Sequence, residues 1–216
     1  MATDEPQPEP PRTRRDEYAE QTRSAVVDAA RALFATQGYF ATTVNDIAKA
    51  GRVSAGTVYQ QCGGKHGLLR TLMEIWTTRP LVDETRERIE NAGTGDEVLR
   101  ILADAYLGMY RECGDIIQII ITTAPHDSYA AACLAEADAR HRASLLEHAR
   151  KLRQLGILTP RLSDDDFADI ALFHFGGHNG IQFAVNALGW PQERARDWIR
   201  DQFTRCILDA AAGASS

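Results

Sequence analysis

The residues whose types and spacing carry chemistry are concentrated in positions 42–69, TTVNDIAKAGRVSAGTVYQQCGGKHGLL. The chemistry they suit is recognition rather than catalysis. Thr43 can cap a helix whose apolar positions are Val44, Ile47 and Ala48, and Gly51-Arg52 makes a tight turn. Ser54 then caps a second helix that buries Val58 and exposes Thr57, Tyr59, Gln60 and Gln61. Helices of about two turns do not persist alone in water. Two of them crossing, with small residues at the contact, form the unit that lays a helix in a DNA major groove. On its exposed side lie Ala55, Gly56, Thr57 and Gln60. A glutamine amide can read adenine, a threonine can touch a thymine methyl, and a glycine lets backbone approach the duplex. The amides that open the helix after Thr43 suit a phosphate, as do those at Lys65, where an ammonium adds a point charge.

Signals for other chemistry are weak. There is no nucleophile elbow, phosphate loop, metal triad or paired carboxylate, and Asp164-Asp165-Asp166 reads as a helix start, so the chain is not expected to be an enzyme. His174 and His178 are four apart on a helix, and His141 and His148 seven apart. No carboxylate or cysteine joins them at matching spacing, so neither a metal nor another cofactor is expected. Cys62, Cys113, Cys133 and Cys206 have no paired spacing and suit reduced thiols of a cytoplasmic protein. No apolar run approaches the length of a membrane span, and the first residues are polar and proline-rich, unlike a signal peptide.

The net charge of −6 is unevenly spread. Residues 12–75 hold nine bases against six acids, a surplus of +3, whereas 76–216 hold fifteen bases against twenty-one acids, giving −6. A basic head on an acidic body turns the head towards phosphates.

Positioning these residues takes helices throughout. Helical periodicity covers 16–37, burying Val26, Ala30, Leu33 and Phe34, and Gly38 stops it. Lys65 opens a longer helix to about Thr78, and 81–91 continue as a polar helix or linker beyond Pro80. Asp96 starts a helix that Gly114 ends, 116–123 make a short buried one, and 128–155 a long one with a Gly156 stop. Ser163 starts a helix that runs to about Leu188, and Pro191 opens the last, which buries Trp198, Ile199, Phe203 and Ile207. The expected class is all-α, with about nine helices and no strand. The expected division is a disordered tail (1–16), a helix-turn-helix domain (17–70) and a regulatory domain (71–212). Arg12, Arg14 and Arg15 in the tail suit a basic arm for the minor groove, or a plain solubilising segment.

The segment 26–69 resembles the N-terminal domain of the TetR-type bacterial transcriptional regulators. The matching positions include Ala29-Ala30, Leu33-Phe34, Gly38-Tyr39, Thr42-Thr43-Val44, Ile47-Ala48, Val53-Ser54, Gly56-Thr57-Val58-Tyr59, Lys65 and Leu68-Leu69. The resemblance implies a homodimeric repressor on a double-stranded DNA operator, with Thr43, Arg52, Ser54, Ala55, Gly56, Thr57, Tyr59, Gln60 and Lys65 at the DNA and the Tyr59 hydroxyl on its backbone. Three positions depart from the pattern. Arg52 stands where the turn usually has glycine, Gln61 replaces an aromatic or histidine that would meet a phosphate, and Cys62-Gly63-Gly64 should loosen the loop before Lys65. A ligand-binding or scaffold protein with a weakened DNA head is the alternative.

The resemblance also implies that the last two helices pair with their mates as a four-helix bundle. Gly176, Gly177, Gly180 and Ala184 agree, since glycine inside a helix costs about 1 kcal/mol and close helix approach is the commonest reason for it. Trp198 and Phe203 would anchor that interface. An effector cavity is expected among Trp76, Tyr106, Met109, Tyr110, Ile117, Phe173, His174, His178 and Gln182, with Ile120, Phe175, Asn179 and Phe183 nearby. Any one of these also suits a plain core; as a set, apolar walls with sparse polar groups describe a pocket for a flat or lipid-like molecule. Phe173 and His174 are expected to face inward, with Gly177 and Gly180 towards the partner.

Overall fold

Thr13, Thr43 and Ser54 each present a side-chain oxygen to a free amide three residues on, and a helix starts behind each of them. These are α1 (Arg14–Gln37), α2 (Val44–Ala50) and α3 (Ala55–Cys62), followed by α4 (Gly64–Thr77). The computed structural model describes residues 13–158, 160–177 and 179–212, so the Arg12 arm and His178 lie outside the described residues. Residues 14–16 of the expected tail are helical. Thr13 and Asp16 form a capping box, worth about 1 kcal/mol, so Arg14 and Arg15 sit in the first turn of a helix rather than on an arm.

The chain packs as two compact units, Met1–Thr71 and Leu72–Ser216. In the first, α1, α2, α3 and the start of α4 enclose Val26, Ala30, Phe34, Ile47, Val58, Leu68 and Leu69, all at most 2% exposed. Each large apolar side chain among them contributes roughly 1.5–3 kcal/mol by leaving water. Arg23 donates to the Gln61 carbonyl oxygen at 3.2 Å, tying α1 to the end of α3.

The second unit holds the end of α4 and α5 (Pro80–Asn91), α6 (Gly95–Thr123), a 3-10 turn (Ala124–His126), α7 (Ser128–Gln154), α8 (Asp164–Phe175), α9 (Gly180–Asn186) and α10 (Gln192–Ala212). The described residues thus form ten α-helices and no strand, and none of these helices is long and apolar enough to cross a membrane. Pro80 at the first turn of α5 makes residues 80–91 a helix rather than a linker.

Two sequence expectations change here. Gly114 does not end a helix: α6 runs unbroken through it, joining the two expected helices. The missing side chain serves packing, because a Cβ on Gly114 would lie 3.1 Å from the Tyr110 ring and 3.5 Å from Gln182 Oε1. Conversely, the expected 163–188 helix is broken into α8 and α9. Gly180 adopts φ +58°, and a Cβ there would sit 2.1 Å from the His174 carbonyl oxygen. Glycine is needed there to restart the chain, not to admit a second helix. Gly177 lies against Ile117 and Ile121 of α6, within 3.1 Å of where its Cβ would be, so its close approach is to a helix of its own chain.

Phe203 is likewise an interior residue, 1% exposed and edge-on to Phe167 and Phe175. Trp198 instead is half exposed, edge-on to Trp190.

Candidate functional site

In the first unit, α3 presents a capped, polar outer face. Its underside buries Val58 and Cys62, while Tyr59 is 61% exposed and Gly56 and Gln60 are exposed with it. Ala55 and Thr57 are half-buried at its start, where Ser54 Oγ accepts from the Thr57 amide at 3.0 Å. Thr43 and Arg52 are exposed on the same unit.

Arg52 takes φ +56°, the only positive φ of a non-glycine residue among those described. The turn therefore does require the left-handed geometry that costs an L-residue about 1–2 kcal/mol. It brings Val53 N to the Ala48 carbonyl oxygen at 2.9 Å, and leaves the guanidinium exposed.

The connection after α3 is tight, not loose. Gly63 and Gly64 both have positive φ, and the Gly63 amide donates to the Tyr59 carbonyl oxygen at 2.9 Å. A Cβ on Gly64 would fall 2.7 Å from Tyr59 Cε1, so this glycine leaves room for the tyrosine ring. Gly67 lies so close beneath the Cys62 carbonyl that a Cβ would sit 1.8 Å from its oxygen. Sequence reasoning misses the positioning role of these glycines; the signal for it is their unusual density, three within 63–67.

Two polar groups expected near phosphates have partners within the unit. The Thr43 amide and hydroxyl both donate to Asp46 Oδ2, at 3.0 and 2.6 Å, which holds that carboxyl below its ordinary pKa. Lys65 Nζ donates to the carbonyl oxygens of Tyr39 at 2.9 Å and Thr42 at 3.1 Å, and stands 4.5 Å from the Tyr39 ring centre. Its charge closes the turn between α1 and α2.

The second unit encloses a cavity of about 750 Å³ between the end of α4 and helices α5 to α9. Trp76, Leu81, Met109, Ile117, Leu134 and Phe175 make apolar walls. Tyr106 stacks on Phe175 with ring centres 4.5 Å apart and planes within 9°. Gln182, nearly buried, donates to the Gly114 carbonyl oxygen at 3.0 Å and to Gln118 Oε1 at 3.2 Å, pinning α9 to α6. Tyr110 donates to Asn186 at 2.8 Å.

The cavity's polar corner lies on α7. Tyr106 Oη and His141 Nε2 are 2.5 Å apart, and Ser144 Oγ lies 3.4 Å from His148 Nε2. Burial pushes the Tyr106 hydroxyl well up and the His141 imidazole down, the latter against the opposing charge of Asp138. His148 is pushed down to about 4, first by burial and then by its neighbours His141 and Arg86. Both imidazoles are therefore neutral at pH 7. No group of three or more His, Cys, Asp or Glu side chains among the described residues could hold a metal ion.

Of the expected cavity residues, Trp76, Tyr106, Met109, Tyr110, Ile117 and Gln182 line it. Phe173 and His174 do not, which corrects their expected inward orientation. Phe173 is 69% exposed, and His174 packs against Phe203 of α10 with its Nε2 3.8 Å from Cys206 Sγ. Helical phase explains this: Phe175 takes the inward place on α8, and the two residues before it turn away. His141 and His148, which their spacing brings forward only as metal ligands, are polar residues of the cavity that the sequence does not reveal.

Residues 26–72 match the family described as bacterial regulatory proteins, tetR family. Over 50 residues the chain is 42% identical to the HTH-type transcriptional regulator HbdR of Aromatoleum sp. (strain CIB), a match spanning 23% of this chain and 22% of that relative. The fold is similar to that of a SmeT–triclosan complex, with a TM-score of 0.69 and 16% identity over 86% of this chain and 90% of the other. It is also similar to a regulator from Saccharomonospora viridis in complex with choline, with a TM-score of 0.66 and 18% identity over 84% and 95%. At such identities these two likenesses concern the fold alone. Along the capped helix pair, residues 26–72 thus carry the sequence pattern of the tetR family of bacterial regulatory proteins.

Proposed function

We propose that the protein is a homodimeric transcriptional regulator that represses from a palindromic DNA operator and releases it when a small, mostly apolar effector binds. The observation that carries the reading is the outer face of α3, with Gly56, Tyr59 and Gln60 exposed on a helix capped at both ends. Gln60 would read a base edge, and Tyr59, Arg52, Thr43 and Ser54 the backbone beside it. Thr57 and Ala55 would meet the groove at the start of the helix.

Dimerisation through α8 and α10 is supported by the exposed aromatic side chains of Phe173 and Trp198, which suit anchors of an interface. Two heads spaced by a whole number of DNA turns would supply the affinity that a single head lacks. The 750 Å³ cavity falls in the range of small-molecule sites. The complexes with triclosan and choline add that similar folds hold small ligands. Release would be a population shift, which needs an effector that binds the DNA-incompetent form better. The natural lever is α4: Trp76 and Thr77 of its last turn line the cavity, and Gly67 of its first half lies under α3. Such a protein would work in the cytoplasm, where its operator is.

The test is fluorescence anisotropy on DNA from upstream of the protein's own gene, at two salt concentrations. The expected result is salt-dependent binding that survives excess random DNA. Binding that random DNA abolishes would instead leave a ligand-binding protein with a weakened head.

A further inference from the structure

We propose that the cavity carries a neutral polar subsite, formed by Tyr106, His141 and His148, that selects an apolar ligand ending in an uncharged hydroxyl. This deepens the effector reading above and rests on it.

The subsite is a stripe. His141, Ser144 and His148 recur at helical spacing along α7, all on the side that lines the cavity, and Tyr106 faces them from α6. His148 is only 6% exposed, and its one hydrogen-bond contact among the described residues is the long one to Ser144 at 3.4 Å. The other ring nitrogen has no protein partner there. Buried polar groups are nearly always satisfied, so an imidazole in this position, on a cavity wall, calls for a ligand atom.

The chemistry of that atom follows from what surrounds it. Tyr106 Oη and His141 Nε2 are hydrogen-bonded at 2.5 Å, which leaves each residue a further donor or acceptor to offer. A hydroxyl, which both donates and accepts, matches this set. A charged head does not, because the arginines around the cavity already have carboxylate partners and Asp138, the lining carboxylate without an ion pair among the described residues, is exposed. Arg86 of α5 pairs with Asp83 at 3.0 Å and with Glu147 of α7 at 3.6 Å. Arg79 pairs with Glu112 and Arg140 with Glu136. Asp138 stands beside His141, and the two imidazoles are held neutral by burial. An anion would enter without a counter-charge, and a cation would find one only at exposed Asp138, so either pays a desolvation cost in the buried subsite that a hydroxyl avoids.

The experiment is calorimetric titration of the full chain at pH 7 with four probes of one shape: biphenyl, 4-phenylphenol, biphenyl-4-carboxylate and biphenyl-4-ylmethylammonium. The phenol should bind at least tenfold tighter than each of the other three. His148→Leu should bring the phenol to the affinity of biphenyl while leaving biphenyl itself unchanged. Tyr106→Phe serves the same comparison if the first variant does not fold. Binding of biphenyl without any advantage for the phenol, or a preference for either ion, overturns the subsite and spares the effector reading. Silence from all four probes overturns both.

Discussion

Lys65 donates to the carbonyl oxygen of Tyr39 at 2.9 Å while its ammonium stands 4.5 Å from the centre of the same residue's ring. From the start of α4, the pair closes the turn between α1 and α2. A charge-assisted bond of this kind is worth about 1.5–3 kcal/mol, and the ring contact about 0.5–1 kcal/mol more. Lys65→Ala should therefore lower stability by about 2 kcal/mol in urea unfolding. An unchanged midpoint with weakened DNA binding would return the ammonium to the phosphate role that its position in the sequence suggests.

Arg52 sets stability against affinity. Arg52→Gly removes the left-handed penalty and should stabilise the first unit by about 1 kcal/mol. The same change removes an exposed guanidinium, so the slope of log affinity against log salt should shrink by about one ion. Both quantities come from one purified variant, and a loss of stability would show that the arginine makes compensating contacts.

On α3 the two exposed polar residues should separate cleanly. Gln60→Ala is expected to reduce discrimination against a changed operator base by about 1–3 kcal/mol, with little effect on random DNA. Tyr59→Phe should weaken both alike. Competition anisotropy with matched and mutated operators measures the difference, and equal behaviour of the two variants counts against Gln60 as the base reader.

Gly180→Ala tests the break between α8 and α9. A left-handed alanine costs about 1–2 kcal/mol, and contact with the His174 carbonyl adds to it. The variant should lose at least about 2 kcal/mol and expose the cavity to solvent, seen as reduced protection of the Gln182 amide region in hydrogen exchange. Little change in stability would mean that a continuous helix is also accessible.

Acid should act through His148. Its folded-state value of about 4 lies below the ordinary 6.5, so between these values the unfolded chain binds the extra proton. This contribution is fully present above pH 6.5 and lost as pH falls to about 4, amounting to roughly 3 kcal/mol over that span. His148→Leu should flatten the stability profile in that window; an unaltered slope would place the acid sensitivity elsewhere.

How much of this is legible in the sequence depends on the range over which each rule acts. The helix pair of the first unit follows from caps and turns within a few residues, so Thr43, Ser54 and Gly38 mark its boundaries in the bare sequence. Even the strained Arg52 is visible, since a non-glycine residue stands in a glycine turn. Lys65 is not, because what its ammonium meets is set by the carbonyls of Tyr39 and Thr42, more than twenty residues away.

The same limit governs the second unit. Period alone puts Phe173 and Trp198 on the wrong sides, as an aromatic residue reads alike in a core, a cavity wall or an exposed face. Gly176, Gly177 and Gly180 stand out for a sound reason, but the energetic cost of helical glycine does not say whether the helix narrows or stops. The positive φ of Gly180 decides it.

The contact between Gly67 and the Cys62 carbonyl bears on how operator preference could be transplanted between relatives. With one glycine joining α3 to α4 and no room for a methyl group beneath, the two rods are a single machined part. A chimera spliced inside 62–67 would inherit a mismatched joint; one spliced beyond it would carry its grip on DNA intact.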